Sequence, residues 1–150
     1  MTSKPDDLLP SANDLMKKMA LAEAEEASKR ARELAAAEAE KQALLDRLKG
    51  PSGVSEEEAI RRAAKIIERA VSNGLTEIQV HRFPNDLCTD KGRAINQQEP
   101  GWENTLTGVP KEIYEFWAKH LRPRGYKLRV EIIDFPHGMP GDVAMTLKWG

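Results

Sequence analysis

A chain of 150 residues, 40% hydrophobic and 31% charged, has the length of one ordinary domain, or of a smaller domain carrying an appendage. Its 23 basic and 24 acidic side chains leave a formal charge of -1, so no global field holds it to nucleic acid or to an anionic membrane, and any such binding is local. One cysteine excludes an internal disulfide, "MTSKPDDLLP" lacks the basic start and apolar run of a secretory signal, and no apolar stretch approaches the roughly 20 residues that span a bilayer; a cytoplasmic protein with no membrane residence is expected.

Residues 1–13, rich in proline and acid, are expected to be disordered. Residues 14–53 read as a helical arm followed by a linker. Ten alanines fall between Ala20 and Ala43, and Glu, Lys and Arg fill most other positions, which is helix-forming material. Ser11 with Asp14 resembles a capping arrangement, Glu25 with Lys29 and Glu26 with Arg30 are i,i+4 pairs, and "GPSG" at 50–53 ends the run. The spacing predicts one helix from about Asp14 to Leu48. A seam of Met16, Ala20, Ala27, Ala31 and Leu34 breaks where Glu38 and Lys41 would continue it, so a long coiled coil does not follow. Leu34, Leu44, Leu45 and Leu48 remain as an apolar edge for a protein partner or for self-association.

From residue 54 to 150 the pattern becomes that of a compact domain. Ser55 and Glu58 form a capping box, Ile60, Ala63, Ile67 and Ala70 share one face, and Gly74 stops the helix. "TEIQVHRF" and "YKLRVEIIDF" alternate as strands and each ends in Phe-Pro, at Phe83-Pro84 and Phe135-Pro136. Between them "VPKEIYEFWAKHLRPRG" predicts a helix that starts near Pro110 and aligns Ile113, Trp117 and Leu121. Trp117 and Trp149 read as core, and Trp102 as a lid over it. "DVAMTLKW" is the last strand, joined to the second through the turn-rich "PHGMPG", so these two form an antiparallel pair. The expected class is α+β: a small three-stranded mixed sheet with helices packed on one face, preceded by the long Ala-rich N-terminal helix. The connection between the first two strands permits them to be right-handed parallel neighbours without requiring it, and the last strand is a natural edge if it lies outermost.

Parallel first and second strands send both Phe-Pro exits toward one rim, where open sheets gather ligands. One exit carries Asp86, Cys88, Asp90, Lys91 and Arg93; the other carries His137 and Asp142. These seven residues are the candidate ligand site. Cys88 with His137 or His81 has the composition of a nucleophile and its base, but that chemistry needs contact and an acidified thiol. None of the paired spacings that mark zinc is present, so no metal is expected, and no cofactor. Lys91, Gly92 and Arg93 suit an anion at a helix start, although a lone glycine makes no phosphate loop. The plainer account buries Leu87, Cys88 and Ile95 and leaves the charges in water. A second candidate is the basic run His120, Arg122, Arg124, Lys127 and Arg129, with the four Arg and Lys side chains suited to nucleic-acid phosphates. Glu115, Glu131 and Asp134 interrupt it, and residues 54–150 hold fourteen basic and fourteen acidic side chains.

The function expected from these features is a non-catalytic cytoplasmic protein-interaction module, with the helical arm finding a partner or a second copy. The alternatives are a nucleic-acid or anion binder using a local basic patch, and a small enzyme or metal protein centred on Cys88 and His137.

Overall fold

The computed structural model describes residues 5–150. The chain divides into two compact units, with the boundary between Ala43 and Leu44. Of the thirteen residues expected to be disordered, 1–4 lie outside the described residues, and Pro5–Leu8 form a turn of 3-10 helix. Helix α1 spans Ala12–Lys49 and opens as the sequence suggests, with the Asp14 amide donating to the Ser11 hydroxyl at 3.1 Å. Every described residue up to Ala43 is exposed, including Leu15, Met16, Met19, Leu21 and Leu34. Alanine and alternating charges form a helix through propensity alone and supply little surface worth burying.

The second unit begins inside the last turns of α1, where Leu45 is buried in the core and Leu48 packs beside it. Helix α2, Glu56–Ser72, is capped by Ser55, whose hydroxyl accepts from the Glu58 amide at 3.2 Å. The Glu58 carboxylate turns to Arg61 and Arg62. Strand β1, Glu77–Phe83, leads through a 3-10 turn at Asn85–Leu87 to the short α3, Arg93–Asn96. Helix α4, Gly108–Phe116, runs on into one π-helical turn, Trp117–Leu121. Strands β2, Lys127–Ile132, and β3, Val143–Lys148, close the chain.

The class is the expected α+β with a three-stranded sheet, but the sheet is antiparallel throughout and not mixed. Its order is β1-β3-β2, so β3 is the central strand and not an edge. The composition of β3 explains this. Val143, Met145 and Leu147 face the core, while the small Ala144 and Thr146 on the reverse face are buried beneath longer neighbours. On that face Ala144 lies between Arg82 and Glu131, and Thr146 between Gln79 and Arg129. Arg129 reaches Glu77 at 2.6 Å and Glu131 at 3.2 Å, so a lattice of ion pairs covers the reverse face. Charged β1 and β2 suit the two edges, which water and charge keep from pairing further.

One consequence expected from parallel neighbours is reached without them. β1 and β2 are both antiparallel to β3, so they point the same way, and Phe83 and Ile132 both pair with Val143. The two Phe-Pro exits therefore leave one end of the sheet.

The core joins Leu45, Phe83, Leu87, Cys88, Ile95, Leu106, Val143 and Met145. Gly108 has φ +62°, and a Cβ there would lie 1.9 Å from the Leu48 carbonyl oxygen; only glycine allows α4 to start against the end of α1. Trp117 and Trp149, expected in the core, are half-buried around it, each bringing a large ring to the margin.

Candidate functional site

The rim where β1 and β2 exit does bring the two expected segments together. The Asn85 side-chain amide donates to the Lys91 carbonyl at 2.8 Å and to the Pro140 carbonyl at 3.0 Å. Most of the seven candidate side chains there have structural partners. Asp90 accepts from the Gly92 amide at 3.0 Å and the Ala94 amide at 2.9 Å, spending both carboxylate oxygens on the start of α3. Arg93 pairs with Glu99 at 2.7 Å, which pushes its pKa up. Asp142 pairs with Arg82 at 2.9 Å, and Lys91 lies 3.9 Å from Asp86. His137 is exposed, at φ +54°.

Cys88 is 2% exposed. Burial pushes its thiol up to about 11, against the smaller opposing effect of a hydrogen bond with Thr105. At neutral pH it is a protonated thiol packed in the core, the opposite of an activated nucleophile. His81 stacks on Phe83 with centroids 5.7 Å apart. Its Nε2 is buried without a partner among the described residues, and burial lowers its pKa. Among the described residues no three His, Cys, Asp or Glu side chains are grouped to hold a metal ion.

The basic run is divided in the same way. Arg122 lies over the Trp117 ring at 5.1 Å, Arg124 donates to the His120 carbonyl, and Arg129 is held in the reverse-face lattice. Lys127 is exposed at the edge of the sheet.

A different concavity lies in the second unit. A cleft of about 690 Å³ lies between α2 and α4, with the core face of the sheet as its floor. Val80, Leu128 and Leu147 form the floor; Val80 shares the face of Ile78 by strand alternation, and the bulge between Gln79 and His81 brings His81 opposite the core-facing Met145. Ala59, Ala63 and Ile66 line the α2 wall, where two alanines are too short to fill the gap. Ile113, Phe116 and Trp117 line the other. The cleft explains why α2, strongly amphipathic in sequence, buries only Ala70 fully and leaves Ile66 38% exposed.

A polar cluster interrupts this lining. One oxygen of Glu56, at the first position of α2, is 2.7 Å from Lys119 Nζ and 2.6 Å from His120 Nε2. The hydrogen bond from Lys119 is the largest of the effects that hold the Glu56 carboxyl below its ordinary value, followed by that from His120. Because Glu56 is ionised, it accepts, and His120 Nε2 carries the proton. Neighbours in sequence on a regular helix point about 100° apart. Within the π turn, consecutive Lys119 and His120 nevertheless converge on one atom. The Phe116 ring packs on His120 with centroids 5.0 Å apart and fixes its orientation.

No known family model, curated protein or solved structure matches the chain.

Of the residues singled out from the sequence, His120 of the basic run lines the cleft, and the seven rim candidates do not. His120 reads in sequence as a helix-end residue with a local role, Trp117 as core, and Glu56 only as a first-turn acid. The available signal was the pair of alanines on the apolar face of α2, but which side chains oppose them depends on residues about sixty positions away.

Proposed function

We propose that this protein is a non-catalytic binding protein and that its second unit holds a small apolar ligand in the cleft between α2 and α4. The observation that carries this is a half-open concavity of about 690 Å³, within the range of roughly 300–1,000 Å³ typical of ligand sites, walled by aliphatic and aromatic side chains. Water in such a space makes few hydrogen bonds, so an apolar ligand that displaces it gains free energy from the burial of both surfaces. The absence of catalysis is supported by the protonated, buried Cys88 and by carboxylates already spent on caps and ion pairs.

Titration with the neutral dye Nile red tests the reading. Saturable binding is expected, lost in Ala63→Phe, which fills the cleft, while the circular dichroism of that variant stays native. Binding that survives the filling, or no binding to the native protein, would refute it.

A second reading, interaction through the helical arm, is favoured by the exposed Leu15, Met16, Met19, Leu21 and Leu34 on α1. These side chains gain free energy from burial against a partner or another copy. Light scattering over a range of concentrations should show self-association of the full chain that a chain starting at Leu44 lacks. Equal monomeric masses would remove self-association as the arm's role. The basic-patch alternative draws less support, because Arg122, Arg124 and Arg129 are engaged within the chain.

A further inference from the structure

The cleft carries two cationic features, Arg62 and Lys119 with its neighbour His120, and the second is bound to Glu56, an anion of the same lining. From the chemistry of that contact we infer that the ligand is an apolar carboxylic acid, whose headgroup takes the position now held by the Glu56 carboxylate between Lys119 and His120. This rests on the cleft being a ligand site, and goes further by naming the ligand's class.

Three observations support it. A single carboxylate oxygen receives both donors, at 2.7 and 2.6 Å, and all three residues line the cleft, so an acid with its tail on Val80, Leu128 and Leu147 has donors at hand for its head. Glu56 is poorly committed to the place it holds. Its side chain is 52% exposed and that of Lys119 is 68% exposed, and an ion pair so open to water adds little to stability. His120 is the firmer half, 22% exposed and packed against Phe116, so a donor stays in position when Glu56 swings away.

The remaining charges of the cleft fix which way the ligand enters. Arg62 is paired with Glu58 at 3.2 Å, and Glu112 accepts from the Ser52 amide at 3.2 Å. Glu112 and Glu115 also line the cleft, along α4 ahead of the π turn, and would repel a head placed near them. The head therefore belongs at Lys119 and His120, with the tail running toward the apolar floor. Carboxylate exchange at this pair makes and breaks no covalent bond and needs no further reactant.

Decanoate and decanol have the same tail and differ in the head, and their binding to the full chain can be followed calorimetrically. Decanoate is expected to bind about tenfold more tightly than decanol, as a charge-assisted contact that must displace Glu56 allows. In the double variant Lys119→Met, His120→Gln the preference should vanish while decanol affinity is kept. In Glu56→Gln, which removes the internal competitor, decanoate affinity should rise about threefold and decanol affinity stay level. Equal affinities for the two probes in the native protein overturn the acid assignment but leave an apolar-ligand site standing, and so does a preference that survives the double variant. If neither probe binds, and Nile red does not bind either, the cleft reading itself falls.

Discussion

Cys88 and His81 both carry the chemistry of an active site, and burial favours the neutral form of each. With the thiol near 11 against an ordinary value of 9.0, the thiolate fraction at pH 8 is lower by about a hundredfold than in an unfolded chain. A disulfide reagent at that pH is therefore expected to label Cys88 about a hundred times more slowly in native protein than in urea-unfolded protein. A native rate within tenfold of the unfolded one would show that the thiol is not buried as described. His81 has a depressed pKa in the fold, so the unfolded chain binds its proton first as pH falls. The stability it permits is complete above the unfolded value of about 6.5, and declines as pH drops below that toward the folded value. Denaturant melts at pH 7.5 and 5.5 should show this decline in the native protein and a flatter profile in His81→Leu. That variant also removes the unpartnered Nε2 and should be about 1 kcal/mol more stable at pH 7.5. The depressed pKa of Glu56 acts in a separate window, with stability lost only below its ordinary 4.5.

Whole elements were read well from their periods and less well at their junctions. Ser55 caps α2 as the sequence indicates, and "PHGMPG" joins β2 to β3 as an antiparallel pair. The start of α4 is set by something the local sequence does not display. Gly108, two residues before the proline that marks the start in sequence, sits at φ +62° against the Leu48 carbonyl. Gly108→Ala should cost about 2 to 5 kcal/mol, the sum of left-handed strain and an overpacked contact, and a chemical denaturation curve measures it. A loss below 1 kcal/mol would mean that the end of α1 is not held there. The short α3 depends similarly on Asp90, whose carboxylate caps two amides. Asp90→Ala should cost about 1 to 2 kcal/mol in the same assay, and a neutral result would free Asp90 for a ligand role.

At the scale of the whole molecule, composition places a change of character near the "GPSG" linker, but the compact units divide earlier, at Ala43. The reason is Leu45, an arm residue by sequence and a core residue by packing, 6% exposed. A chain beginning at Leu44 is expected to keep the stability of the full chain in thermal melts. A chain beginning at Pro51 should lose about 2 to 5 kcal/mol, the usual cost of emptying a leucine site in a core. Equal melting of the two truncations would place Leu45 outside the core.

Sequence by itself determined the longer helices, the strands, the Ser11 and Ser55 caps and the α+β class, because periodicity, propensity and turn chemistry act over a few neighbouring residues. It also indicated that the Phe83-Pro84 and Phe135-Pro136 exits share a rim, though on the premise of parallel pairing. Only the tertiary structure decided that β3 inserts between β1 and β2, that the polar rim residues cap and pair with one another, and that a cleft opens beside α2. Those outcomes rest on contacts such as Glu56 with His120, 64 positions apart, whose energies depend on which surfaces meet and leave no mark on either segment alone.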